Sequence, residues 1–419
     1  MKPETLQRIS TCFLISMVAL VVGILSGLKE WTPATLYTTG QQIVLSLRDT
    51  GRVLPEHAYS RRRAGSPDER YVVNRPESIA PGDLLINRLQ LPENRFVTEL
   101  LDERGEVIGS WPSDYSNVVE NGKPGGTLQA TYPLPDGSLL LAYDQGTALV
   151  RVDICGKILW SRTDQTYHHA IRPDEDAGGF WVWQAGMWYG GDDQRLVRFD
   201  EETGEILESI DLIDDIILRS PASKVAFGFP DGFNFYRDLP EEASSDVFHP
   251  NDIKPLPARL ARAFPQFKPG DLLISLRNIN LLAVVDRTTK QLLWSRHGPW
   301  QEQHDPDWQA DGTITVYSNN QRRGVTTILK IDPKTDLAED LFADASLRFF
   351  SRVMGQHQLL PNGNWLIVSP LEGAAIEVSP AGEILREVSN RLTGEFNGIL
   401  SYAQLLPPGY FTAPPRCGR

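Results

Sequence analysis

Pro135-Asp136-Gly137-Ser138-Leu139-Leu140-Leu141-Ala142-Tyr143 is followed, after a short link, by Leu149-Val150-Arg151-Val152-Asp153 and then by Gly156-Lys157-Ile158-Leu159-Trp160. A Pro-Asp-Gly turn opens an apolar run, a second run ends in aspartate, and a glycine turn leads into a third run that closes on Leu-Trp. The pattern recurs at Gly178-Gly179-Phe180-Trp181, Gly270-Asp271, Ala310-Asp311-Gly312 and Pro361-Asn362-Gly363, with outer turns at Gly204, Lys290, Lys334 and Gly382. The hexamer at 81–86, Pro-Gly-Asp-Leu-Leu-Ile, returns letter for letter at 269–274, which adds a degenerate first copy near 81–110. A unit of four short strands repeated about every 40 to 50 residues is the signature of a β-propeller. Six such copies predict an all-β, six-bladed propeller. The one overlong interval, 211–264, reads as an insertion with a helix-like segment at 257–264, and insertions of this kind map to loops on one face.

Outside the repeats, residues 10–28 form an uncharged apolar run long enough to span a bilayer as a helix. Lys2 and Arg8 precede it, while Lys29 and Glu30 cancel. The positive-inside rule then keeps the N-terminus in the cytoplasm. The expected layout is a membrane anchor at 1–30, a stalk at 31–80, the propeller at 81–400 and a tail at 401–419. This places the protein in the inner membrane, single-pass, with the propeller on the periplasmic side. The run lacks a clear A-x-A site and reads as uncleaved, a removed signal peptide being the other reading. The chain carries 41 basic against 54 acidic residues, net −13. No basic footprint for nucleic acid is present, and an anionic substrate would need a local cluster of cations. Cys12, Cys155 and Cys417 follow neither a disulfide framework nor a zinc spacing, so all three are expected to be unpaired. Nothing in the sequence calls for a cofactor or a metal, or reads out an oligomeric state.

Seven histidines occur in the chain, and their places in the repeat are informative. His168-His169 precede the Gly178 turn, His304 the Gly312 turn and His357 the Gly363 turn. His249 stands further ahead of Gly270, set back by the insertion. These positions belong to the innermost strands, which converge on the axial channel of a propeller. His57 and His297 fall outside the pattern and are expected to be structural or surface residues.

Phe248-His249-Pro250-Asn251-Asp252-Ile253, then Gly270-Asp271 through Ser275-Leu276-Arg277-Asn278, then Leu293-Trp294 and Gln303-His304-Asp305-Pro306-Asp307, resemble the bacterial arylsulfotransferase family. His168-His169-Ala170 followed by Phe180-Trp181-Val182 resembles an earlier element of the same family. The resemblance implies a six-bladed propeller that moves a sulfuryl group from an aryl sulfate donor to a phenolic acceptor through a sulfurylated histidine, without a cofactor. On it His304 is the nucleophile, with His249, Arg277 and His168 as catalytic partners and Asn251 binding substrate; His169, and His357 by its repeat position, are expected to bind substrate beside them. His168 is the closer match of the adjacent pair, with a one-residue shift to His169 left open. The family's better-known secreted members have a disulfide and a separate N-terminal β-domain, and this sequence is expected to have neither.

The residue types suit the chemistry. A neutral imidazole can attack sulfur and split the transfer in two, a second histidine can shuttle the proton, and a guanidinium offers a planar fork to the sulfuryl oxygens. The Asn251 amide can donate to a sulfuryl oxygen, and Phe248, Trp300 and Trp308 could wall a phenol ring. Strand alternation would put Arg277 on one face with Ser275 and Ile279, where it could instead pair with an acidic neighbour. Two other readings stand beside this one. The Leu-Trp endings also resemble quinoprotein-type repeats, whose tryptophans dock neighbouring blades without any catalysis. A metal-dependent lactonase would need carboxylates and asparagines at the axis.

Overall fold

A computed structural model describes residue 17 and residues 59–143, 147–185, 194–229, 247–320, 324–392 and 394–417. Six antiparallel sheets of four or five strands are present among them. The second blade shows how sequence becomes blade. Leu139–Tyr143 and Leu149–Val152 are buried along their whole length, because middle strands are covered on both faces by the neighbouring blades. They therefore read as unbroken apolar runs. The outer strand Ile158–Arg162 is largely exposed.

The clusters between blades make the core. Leu140, Ala142 and Leu149 meet Phe180, Val182 and Val197 of the third blade. Leu273, Leu282 and Val284 of the fourth meet Ile314 and Val316 of the fifth. Tryptophans at the outer strands dock the first, second and fourth blades on the next: Trp111 donates to the Gly137 carbonyl, Trp160 to that of Glu201, and Trp294 to Asp336 Oδ1. Gly204 lies at φ +73, and a Cβ there would stand 2.6 Å from the Trp160 ring, so this turn requires glycine.

The ring closes through strands from both chain ends. Leu400–Leu406 pairs with Asp83–Gln90 and is the innermost strand of the first blade. Tyr71–Val73 adds a fifth, outermost strand to the last blade, and Tyr59–Arg61 pairs with Phe396–Gly398. Two expected boundaries therefore change. Residues 59–80 are built into the propeller rather than a stalk, and 401–406 belong to its first blade rather than a tail. The repeat count could not expose this, because a blade assembled from both termini is split in sequence. Closure also covers the faces of the first and last blades, which a linear array would leave open, while each blade keeps a short outer edge.

The insertion divides in two. Leu212–Ile217 and Pro221–Ala226 are helical and lie between the third and fourth blades. The helix-like 257–264 segment is an expanded turn between the inner strand Pro250–Pro255 and Leu272–Leu276.

Cys155 and Cys417 form a disulfide, which corrects the expectation of unpaired cysteines. Their separation of 262 residues hid the pairing, since spacing rules read only local frameworks. Among the described residues no helix is long and apolar enough to cross a membrane. The 10–28 run, apart from Met17, as well as Cys12 and His57, lies outside the described residues.

Candidate active site

The inner strands bring their upper ends together around the axis. In five of the six blades the pairing of inner with second strand shifts register near the start of the inner strand: at Leu128/Ala130, His168/Arg172, Pro250/Asp252, His304/Asp307 and Leu400/Tyr402. His169, His249 and Asp305 take positive φ at these places (59, 47 and 50). Such bulges turn side chains out of the pleat, and this strained geometry re-aims the imidazoles toward the axis.

A small axial cavity of about 60 Å³ results, lined by His169, Arg172, Asn251, Asp252, His304, Asp305, Gln129, Thr131 and Tyr402 among others. His169 Nε2 lies 3.2 Å from His249 Nε2. His304 is oriented from behind. Its Nδ1 stands 2.7 Å from Asn319 Oδ1 and 3.1 Å from the Glu302 carbonyl. Asn319 Nδ2 donates to the carbonyls of Ser351 and Met354, which fixes the way its amide faces. Both groups facing Nδ1 are acceptors, so Nδ1 carries the hydrogen and Nε2 the lone pair. Burial lowers the His304 pKa to about 3, helped by the positive charge of Arg277. Burial also holds His169 well below the usual imidazole range, with further lowering by His168, His249, His304 and Arg277. Both rings are neutral at ordinary pH.

Arg277 is not on a strand. It follows Leu276 in the turn 277–280, its backbone N–H donating to the His249 carbonyl at 3.1 Å. Its Nη2 reaches Glu302 Oε2 at 3.3 Å, and its Nε is buried without a partner among the described residues. Both readings of this arginine thus have a counterpart: an acidic neighbour, and proximity to the imidazoles. Asn251 donates one N–H to the Gln303 carbonyl at 2.7 Å, while its Oδ1 is buried without a partner among the described residues.

Other expected site residues stand elsewhere. His168 does not line the cavity. It is fully buried behind His169, bonded to Gln194 and to its neighbour's ring. The bulge, invisible to a strict two-residue alternation, reverses which of the adjacent pair faces the axis. His357 is likewise displaced from the cavity wall, holding Thr315 Oγ1 at 2.7 Å and Asp305 Oδ2 at 3.1 Å. Phe248, Trp300 and Trp308 pack in blade cores rather than around a ring-sized space. His297 has a structural role, bridging the carbonyls of Ile279 and Ala226.

Below the histidines lies a charged floor that sequence reasoning missed. Arg172 bridges Asp252 at 2.7 Å and Asp305 at 2.6 Å, and Lys254 contacts Asp305 at 3.0 Å and also Asp307. Burial opposes the ionisation of Asp305, but Lys254 and Arg172 outweigh it and hold the carboxyl well below its usual range. Asp305, Asp307 and His357 are close enough to one another to hold a cation. The Lys254 ammonium already serves two of these carboxylates. A signal for the floor was available: Arg172, Lys254 and Asp307 share one repeat position, each just ahead of the residue paired with the first of the second strand.

Buried imidazoles from separate blades thus meet at the propeller axis, with Arg277 near enough to lower the pKa of both His169 and His304. The family described as arylsulfotransferase (ASST) matches residues 131–391. The chain belongs to this family. No curated protein matches it. Among solved structures it is similar to a protein of unknown function from Bacteroides caccae (13% identity, 76% of this chain and 99% of that one, TM-score 0.48). It is also similar to the periplasmic gluconolactonase of Pseudomonas aeruginosa (12% identity, 78% and 99%, TM-score 0.44). These two likenesses carry no argument about activity.

Proposed function

We propose that the chain transfers a sulfuryl group from an aryl sulfate ester to a phenolic acceptor, with His304 as the nucleophile. The observation that carries this reading is the orientation of His304, whose Nδ1 is committed to two acceptors and whose Nε2 lone pair is left for attack. In the first half-reaction the Nε2–S bond forms, the S–O bond to the aryl group breaks, and the aryl oxygen leaves as the phenolate, taking its proton from solvent at the cavity mouth. In the second, the acceptor oxygen attacks sulfur, the N–S bond breaks, and the acceptor's proton passes to the neutral His169–His249 pair and on to solvent. Arg277 and the second N–H of Asn251 stabilise charge on the sulfuryl oxygens, by analogy with loose phosphoryl transfer. A cavity of about 60 Å³ fits the sulfuryl group rather than the ring, so the aryl part sits at its mouth.

The same reading places the propeller outside the cytoplasm, tethered by the 10–28 run. The Cys155–Cys417 disulfide supports an oxidising compartment. The test is incubation of the purified protein with a nitrophenyl sulfate, with and without a phenol acceptor. A burst of nitrophenol and a covalent adduct of one sulfuryl group, both absent in His304→Ala, are expected. A donor panel that yields neither phenol nor adduct refutes the reading.

A further inference from the structure

A second cavity, of about 750 Å³, is bounded by the fifth and sixth blades and shares no lining residue with the axial one. Its size lies within the range of roughly 300–1,000 Å³ in which small molecules are bound. Leu347, Phe349, Phe350 and Ile384 give it apolar walls. Of its charged groups, Arg63 is taken by Glu387 and Glu383 by Arg75. Arg348 is exposed; its Nη1 donates to the carbonyls of Ala345 and Leu347 at 3.2 and 2.7 Å, and it forms no ion pair among the described residues. Burial pushes the Glu372 carboxyl up to about 7, against the hydrogen bond it accepts from Phe350, so near neutrality it carries part of a negative charge. Apolar walls beside one cation with no carboxylate of its own complement an aromatic ring bearing a single negative charge.

The segment that walls this cavity also holds His304. The Phe350 N–H donates to Glu372 Oε1 at 3.2 Å, the Ser351 N–H to Thr326 Oγ1 at 3.0 Å, and the Thr326 N–H back to the Phe349 carbonyl at 3.0 Å. The carbonyls of Ser351 and Met354 then accept from Asn319 Nδ2 at 2.8 and 2.7 Å, and Asn319 Oδ1 stands 2.7 Å from His304 Nδ1. Met354 itself lines the axial cavity. A displacement of Phe349 and Phe350 therefore moves the two acceptors that fix the Asn319 amide.

We propose that the outer cavity binds an aromatic monoanion, its charge on Arg348 and its ring against Phe350, and that occupancy is transmitted along residues 346–354 to Asn319 and His304. The site and its link to His304 stand on this geometry; an effect on turnover rests on the sulfuryl-transfer reading. Coupling of this kind is reciprocal, so a ligand at the axis alters the outer affinity by the same factor.

The test is calorimetric titration of the full-length chain with 4-nitrobenzoate, which carries no sulfuryl group, and of the His304→Ala variant with 4-nitrophenyl sulfate, which identifies the headgroup preferred. Neutral 4-nitrobenzamide is the control. Saturable binding of the anion is expected, weakened roughly tenfold or more in Arg348→Glu and unchanged within about twofold in Arg277→Gln at the axis. In proton–nitrogen NMR with ring-labelled histidine, saturating 4-nitrobenzoate is expected to shift the His304 signal in the parent and not in Arg348→Glu. In turnover, Arg348→Glu keeps the basal rate and loses the response to 4-nitrobenzoate. No binding, equal binding of the neutral amide, equal loss in both arginine variants, or binding that leaves His304 unmoved overturns the proposal. A chain inert toward every aryl sulfate that still binds the anion and shifts His304 supports it while the transfer reading falls.

Discussion

Lowering the pH should leave the first half-reaction almost untouched far below the point where an ordinary histidine is protonated. His304 is held at about 3 by burial first and by Arg277 second, against an unperturbed 6.5. At pH 4.5 a group with a pKa near 3 is roughly 97% neutral, whereas one at 6.5 is about 1% neutral, a difference close to 100-fold in competent nucleophile. A nitrophenyl sulfate isolates this effect, because its leaving group departs without needing a proton. The assay is the burst rate of nitrophenol release under single-turnover conditions from pH 8 to pH 4, with circular dichroism at each point to confirm the folded state. The expected profile is flat within about twofold across that range. Arg277→Gln removes the second cause and should lift the acid limb while burial still keeps it below 6.5. A burst that falls with a midpoint near 6.5 in folded protein would mean that the attacking group is not the buried ring of His304.

The same shift bears on stability. Between pH 6.5 and about 3 the unfolded chain binds a proton at this position that the folded chain refuses, so stability is full above 6.5 and falls through that window. The slope is at most about 1.4 kcal/mol per pH unit from this group, checked by urea unfolding at several pH values. Arg172→Met strands Asp252 in the floor, leaves Asp305 to Lys254, and should cost about 3–5 kcal/mol by the same measurement; a loss under about 1 kcal/mol would show that the network is solvated. Replacing both Cys155 and Cys417 by serine should cost about 2–4 kcal/mol, and reductant should then have no further effect. Truncation after Ile399 removes the inner strand of the first blade, and a chain that still unfolds cooperatively at the original midpoint would contradict the closure.

The fold was legible because middle strands buried on both faces write themselves as apolar runs such as 139–143 and 281–285, bracketed by turn residues. The count of six followed from those runs. What could not be read was whatever depended on the ring being closed: Leu400–Leu406 supplies the first blade's inner strand from the far end of the chain, and Cys417 returns to a turn in the second blade. The site was legible to the same extent. His169, Asn251 and His304 come from different blades but each stands three residues ahead of the shared position of Arg172, Lys254 and Asp307, so the geometry of any propeller converges them, while His249 lies two residues earlier in its blade. Choosing between His168 and His169 required knowing that the strand bulges there, and a bulge has no letter of its own. Asn319 went unnoticed because it lies outside the inner strands, beyond the second strand of the fifth blade.

Charge is where the structure alters the reasoning most. The sequence suggested that a chain of net −13 must hold an anion with spare cations, yet Arg172 and Lys254 are spent on Asp252, Asp305 and Asp307, and Arg277 has Glu302 beside it. A site with its cations already balanced gains little from bulk attraction. It gains instead from donors held in place with little reorganisation left to pay, which is the condition under which buried dipoles stabilise a developing charge best. The 3.3 Å contact between Arg277 and Glu302, together with the buried Nε of Arg277 that has no partner among the described residues, makes this arginine less committed to carboxylates than Arg172 or Lys254. Arg277→Lys keeps the charge but loses the planar fork. If fixed donors matter more than net charge, that variant should lose most of the rate, roughly tenfold or more in kcat, while Glu302→Gln, which makes the site more positive, should gain little. A lysine variant of near-normal rate, or a glutamine variant markedly faster than the parent, would return the explanation to simple charge.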